Sequence, residues 1–249
     1  MKEILYLIIP CYNEEQVLPE TSRRLLSKIQ SMIENEYISE HSRIIFINDG
    51  SKDGTWNIIK KLNNTNKYFG GINLSRNRGH QNALLAGLMT VKDEADMVIS
   101  LDADLQDDID VIDNFVEQYY NGSDIVYGVR SSRETDTFFK RITALAFYKL
   151  INKLGIESIY NHADYRLMSK RALNGLEQFR EVNLFLRGMV PLIGYKYSIV
   201  EYERHERFSG KSKYPLKKMI SFALDGITSL SIKPIRLITA VGFTIFLIS

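Results

Sequence analysis

The chain has one cysteine, Cys11, in 249 residues. A single thiol excludes an internal disulfide framework and suits a reducing compartment. Cys11 is expected to act as a small buried apolar residue. Proline is scarce, with 5 residues, and Trp56 is the only tryptophan. No Pro/Gly linker, internal repeat or low-complexity tract divides residues 1 to 205. Met1 leads directly into a strand-like run without a basic leader, so no secretory signal peptide is expected. Neither charge sign dominates: 32 Lys and Arg face 30 Asp and Glu, a net of +2. Such a balance gives no basic footprint for nucleic acid, which is not expected as a partner.

What the chain has is enough apolar material, 45% against 25% charged, for one α/β domain of the larger sort. Three apolar runs of strand length each end in a polar cluster. Residues 4 to 10 open into Cys11, Tyr12, Asn13, Glu14 and Glu15. Residues 44 to 47 open into Asn48, Asp49, Gly50, Ser51, Lys52, Asp53 and Gly54. Residues 98 to 101 open into Asp102, Asp104, Gln106 and Asp107. Continuously apolar strands belong to parallel sheets covered on both faces by helices, and ligands of such sheets bind beyond the carboxyl ends of the strands. The pattern predicts strands at 4 to 10, 43 to 48, 71 to 74, 97 to 101 and 124 to 129. Helices are expected at about 14 to 34, 54 to 64, 79 to 92 and 108 to 121. This alternation implies a mainly parallel sheet with right-handed crossovers.

Residues two apart in an extended chain project to one side, so Asp102, Asp104 and Gln106 are expected to offer oxygen atoms to one point. A hard cation such as Mg²⁺ or Mn²⁺ takes one or two carboxylates and fills its remaining positions with phosphate and water. The alternative is a solvated acidic loop. Asn13 and Asp53 are placed to cap the first two helices, and Gly50 and Gly54 suit turns.

Positive charge is concentrated at one end. From Arg207 to Ser249 seven basic residues meet one acid, Asp225, which leaves 25 basic and 29 acidic residues, net −4, in positions 1 to 206. Residues 237 to 248, LITAVGFTIFLI, then carry no charge. They fall short of the roughly 20 residues that span a bilayer, and are expected to be the first part of a transmembrane helix. Basic residues beside such a segment favour the cytoplasmic face and attract anionic lipid. The alternative is a buried C-terminal helix.

The segments IIPCYNEE, INDGSKDGT, LSRNRGHQNALLAGL, SLDADLQDD, ADYRLMSKRAL and RFSGKSKY occur in this order. Together they resemble glycosyltransferase family 2, in the branch acting on polyprenyl phosphates, over nearly the whole chain. The stretch NLFLRGMVPLIGYK pulls the likeness toward bactoprenol glucosyltransferases. The resemblance implies a GT-A catalytic domain over 1–213, a juxtamembrane amphipathic helix over 214–232 and the start of a transmembrane segment over 233–249. It also implies a nucleotide-diphosphate sugar donor, UDP-glucose favoured, a Mg²⁺ or Mn²⁺ cofactor and a polyprenyl phosphate acceptor. Transfer would invert the anomeric centre. Contact with membrane lipid and self-association through the membrane portion are further expectations.

Carried over by position, Pro10, Tyr12, Glu14 and Asp49 would line the nucleoside pocket. Asp102 would serve ribose and metal, with Asp104 and Gln106 as further metal ligands. Arg207 and Lys213 lie in a basic loop that would close on the diphosphate, while Arg130 and Arg141 would clamp the lipid phosphate. Asp164 matches the acceptor-side carboxylate, with a charge pair to Arg166 as its alternative. Arg76, Asn77, Arg78, Gly79 and His80 form a polar turn that faces the donor or merely starts a helix. Asn48 stands where many relatives carry Asp. A processive polysaccharide synthase would need QxxRW, and no Arg precedes Trp56. The GKS of 210 to 212 lacks the first glycine of a P-loop, since His205 stands there. A non-catalytic membrane scaffold binding nucleotide sugar or lipid is the reading from another class.

Overall fold

The computed structural model describes residues 2–131, 162–180, 184–205 and 233–248. Two compact units are present, the first drawn from 1–132, 161–179 and 193–211, the second from 133–160, 180–192 and 212–249.

The first unit is built on a seven-stranded sheet. Its strands are β1 (Leu5–Cys11), β2 (Arg43–Asn48), β3 (Phe69–Asn73), β4 (Met97–Ser100), β5 (Ile125–Arg130), β6 (His162–Ser169) and β7 (Tyr197–Tyr202). Their spatial order is β3-β2-β1-β4-β6-β5-β7. β1 pairs in parallel with β2 and β4, β2 with β3, and β5 with β7, while β6 runs antiparallel to both β4 and β5. Five of these strands and the parallel character follow from the apolar runs. β6 and β7 do not, and β6 is the one reversed strand.

Helices α1 (Leu18–Glu34), α2 (Thr55–Thr65), α3 (His80–Val91), α4 (Ile112–Tyr120) and α5 (Lys170–Glu177) complete the unit. Every residue of β1 is buried. Leu7 and Ile9 share a core with Leu25 and Ile29 of α1 and with Phe46, Ile99 and Phe115. Burying such side chains stabilises by about 1.5–3 kcal/mol each. α3 lies close on the sheet because Gly87 has no side chain: a Cβ there would meet Ile8 Cγ2 at 2.6 Å and Ile47 Cδ1 at 2.9 Å.

Asn13 does not cap α1, which begins at Leu18 without a side-chain cap. Its backbone is left-handed, φ 54°, and its Oδ1 accepts from Lys52 N at 2.8 Å. Asp53 does serve the start of α2, accepting from Thr55 N at 3.1 Å and from the Thr55 hydroxyl at 2.6 Å.

In the second unit, α6 (Leu186–Leu192) buries Leu186, Met189 and Val190. α7 (Lys233–Ile248) has 16 residues. Ile238, Phe243, Ile245, Phe246, Leu247 and Ile248 on it are all exposed. Among the described residues no helix is long and apolar enough to cross a membrane. The amphipathic helix expected over 214–232 lies outside the described residues.

Candidate active site

Parallel strands deliver their trailing loops to one rim, and the first two loops are laced together there. Asn13 N donates to Ser51 Oγ, Glu14 N to Thr55 Oγ1, and Gly54 N to Glu15 Oε2. Pro10 ends within buried β1, while Tyr12 and Glu14 just beyond it are half-buried. Gly50, at φ 63°, lets the β2 loop rest on the backbone of Arg76 and Asn77, which any Cβ would strike. Asn48 donates through Nδ2 to Asn73 Oδ1 at 2.7 Å. A carboxylate has no such donor, so asparagine suits this position.

Asp49 is buried, and both its oxygens accept from backbone: Oδ1 from Arg78 N at 2.6 Å, Oδ2 from Gly79 N at 2.9 Å. It thereby fixes the turn that starts α3. Burial raises its carboxyl above the ordinary range, while those two N–H groups and nearby His80 pull the other way. Arg76, Asn77 and Arg78 themselves are exposed.

The third loop departs from the expected geometry. β4 ends at Ser100 and Leu105 takes a left-handed backbone, φ 58°. The chain therefore turns, and simple alternation does not align Asp102, Asp104 and Gln106. Asp104 is buried and accepts from Gln106 N at 3.2 Å. Gln106 Oε1 accepts from Arg204 Nη2 at 2.6 Å, and Gln106 O accepts from His205 N at 2.9 Å. A cation using that amide oxygen would compete with the Arg204 guanidinium.

Asp102 is pushed up to about 6, by burial first and then by the charges of Asp107, Asp104 and Asp164, with His80 opposing them. Although 40% of its side chain stays accessible, protein atoms crowd it enough for burial to dominate. The rim thus accumulates carboxylates that repel one another, which an added cation relieves. Asp102 and Asp104 are hard oxygen donors that fit Mg²⁺ or Mn²⁺. Among the described residues no group of three His, Cys, Asp or Glu is arranged to hold a metal ion.

Asp164 enters from β6. Its Oδ1 accepts from Arg166 Nη2 at 2.7 Å, and its Oδ2 accepts from Gln81 Nε2 at 3.3 Å. Asp164 is thus paired with Arg166, the alternative to an acceptor-side role, and it lies near His80 and the acidic rim. His80 Nε2 stands 3.4 Å from Asp164 Oδ2 and 3.8 Å from Asp102 Oδ1. Arg130, at the end of β5, donates through Nε to the Tyr202 hydroxyl at 3.3 Å and pairs through Nη2 with Asp107 at 3.6 Å. Tyr202 donates to Asp107 Oδ1 at 2.6 Å. Burial raises Asp107, and burial with the Asp107 charge raises Tyr202. Arg141, Arg207 and Lys213 lie outside the described residues.

Sequence spacing does not reveal the Asp107–Tyr202 contact, which spans 95 positions; the local sign is an acid following Gln106. A cavity of about 450 Å³ lined by Asp96, Asp124, Ser169, Lys170 and Arg171 lies at the opposite rim, where β4 and β5 begin. Its Arg171 is paired with Asp124.

Residues 6–176 match the family model described as Glycosyl transferase family 2. The chain is 57% identical over 246 residues to the uncharacterized glycosyltransferase YkoT of Bacillus subtilis strain 168, covering 99% of this chain and 73% of that protein. It is 40% identical to a prophage bactoprenol glucosyl transferase homolog of Escherichia coli K12, covering 96% of this chain and 76% of the relative. Identity to a bactoprenol glucosyl transferase of Shigella phage SfV is 39%, covering 98% and 77%. Glucosyl-3-phosphoglycerate synthase of Mycobacterium tuberculosis, solved with Mn²⁺, UDP and phosphoglyceric acid, superposes with a TM-score of 0.59 at 15% identity, over 92% of this chain and 77% of that one. At that identity the likeness establishes the fold alone.

Proposed function

The chain belongs to glycosyltransferase family 2, with an α/β GT-A-like fold, and on that premise we propose that it transfers a hexose from a nucleotide-diphosphate sugar to a membrane polyprenyl phosphate. UDP-glucose is the favoured donor, Mg²⁺ or Mn²⁺ the cofactor, and inversion at the anomeric carbon the outcome. The observation that carries this reading is the carboxylate-rich rim, where Asp104, Asp107 and Asp164 raise Asp102. The names of the bactoprenol glucosyl transferase relatives support a lipid phosphate acceptor and glucose.

Asp102 and Asp104 would hold the cation, which when bound offsets charge on the departing nucleoside diphosphate. Pro10, Tyr12 and Glu14 border the nucleoside, and Asp49 shapes the pocket by holding the 78–79 turn. The acceptor phosphate has a second pKa near 6 by analogy with phosphoserine, so at neutral pH it attacks without surrendering a proton to the protein. Its oxygen forms the new bond to the anomeric carbon as the bond to the donor diphosphate breaks, and the diphosphate leaves with the electron pair. Asp164, held by Arg166, is then a fixed acceptor-side anion. Arg130 remains the described candidate for the lipid phosphate, which would draw its guanidinium from Asp107; Arg141 is its proposed companion, with Arg207 and Lys213 on the donor diphosphate. The exposed apolar surface of α7 and the basic segment before it support placement at the membrane, with the catalytic unit on the cytoplasmic face.

Incubating the protein in detergent with Mn²⁺, undecaprenyl phosphate and a panel of UDP- and GDP-sugars tests the assignment. A lipid-linked hexose formed fastest from UDP-glucose is the expected product. Transfer only to a sugar hydroxyl, in a growing glycan, would support a polysaccharide synthase instead.

A further inference from the structure

Two carboxylates approach the same histidine, Asp102 from the loop beyond β4 and Asp164 from β6. Coulomb repulsion alone would drive them apart. One side chain lies between them: His80, the first residue of α3, with Nε2 at 3.4 Å from Asp164 Oδ2 and 3.8 Å from Asp102 Oδ1. An Nε2–H there would face both carboxylates favourably, whereas a lone pair would add to the repulsion. The backbone leading into His80 is held in place. Asp49 grips the two backbone N–H groups immediately before it, at Arg78 and Gly79. The next residue, Gln81, adds a hydrogen bond to the same Asp164 oxygen.

We propose that His80 is a positioning residue that fastens the acceptor-side carboxylate Asp164 to the donor-side carboxylate Asp102, setting their separation for transfer. It acts through those two groups and not on the sugar directly. This inference rests on the transferase reading above for its kinetic meaning, but the bridge itself is a geometric claim that stands apart from the acceptor's identity.

Two replacements separate hydrogen bonding from packing. His80→Gln keeps an N–H donor at about the reach of Nε2, whereas His80→Phe keeps the ring and loses the donor. A misplacement of about 1 Å can slow turnover by about 100-fold. In the full chain with UDP-glucose, Mn²⁺ and undecaprenyl phosphate, His80→Phe is expected to lower kcat about 10- to 100-fold with donor KM changed less than about 3-fold. His80→Gln is expected to recover most of the rate. The opposite ranking, with Phe active and Gln impaired, would assign His80 to packing and overturn the proposal. Crystal structures of both variants decide the matter independently of turnover: the Asp102 and Asp164 carboxylates should keep their places in His80→Gln and separate in His80→Phe. Carboxylates unmoved in His80→Phe would also overturn it. If the unaltered protein glycosylates no polyprenyl phosphate, the acceptor assignment falls, and those two structures still judge the bridge.

Discussion

Asp102 shows what crowding carboxylates at one rim costs the fold. Its carboxyl ordinarily titrates at 3.8, and in the folded protein it is pushed up to about 6, first by burial and then by Asp107, Asp104 and Asp164. Between those pH values the folded chain holds a proton that the unfolded chain releases. Stability therefore falls as pH rises through this window, and the full penalty is present above about 6. Asp102→Asn removes that penalty. In the absence of divalent cations the variant should melt higher than the unaltered protein at pH 7.5, with the gap closing near pH 4. Adding Mn²⁺ and UDP should raise the melting temperature of the unaltered protein and not of the variant. Equal melting at pH 7.5 would show that Asp102 is not under this strain. Leu105 adds a second local tension, since a left-handed backbone costs a non-glycine residue about 1–2 kcal/mol, and it sits between Asp104 and Gln106.

Helix α3 connects the site to the core. Its N-terminal end carries His80 and Gln81, and further along Gly87 packs on Ile8 and Ile47. Gly87→Ala gains up to about 1 kcal/mol in helix propensity, but overpacking a dense core costs about 1–3 kcal/mol. The clash with Ile8 and Ile47 is severe enough for the second effect to win. Chemical denaturation should show a net loss of about 1–2 kcal/mol, and a variant more stable than the parent would contradict this packing.

The elements also mark where the sequence is readable. β1, β2 and β4 announce themselves because both their faces are buried and their residues are almost all apolar. β6 does not, since HADYRLMS mixes apolar residues with Asp164 and Arg166, whose burial is offset by their mutual pair and, for Asp164, by side chains of α3. β7 alternates exposed and buried residues at the sheet edge, and its weight in the site comes from Tyr202 and from Arg204 just beyond it. The acidic motif was legible as a metal-suited cluster, but its turn at Leu105 was not, because nothing about leucine signals a positive φ.

On the scale of the whole molecule, charge is sorted along the chain. An acidic rim at the ends of parallel strands suits a cation and a diphosphate, and a basic, then apolar, C-terminal stretch suits a lipid surface. The chain belongs to glycosyltransferase family 2, and the proposed reaction uses both halves, a sugar passing from a nucleotide to a lipid phosphate. The most direct measurement is the formation of lipid-linked hexose from UDP-glucose and undecaprenyl phosphate, with Mn²⁺ supplied or chelated, by the unaltered chain and by Asp104→Ala. Product should form with Mn²⁺, vanish on chelation and fall at least about 100-fold in Asp104→Ala, in line with the several kcal/mol that a cation supplies to such a leaving group. Product formed at the same rate by Asp104→Ala, or in the presence of chelator, would contradict the account.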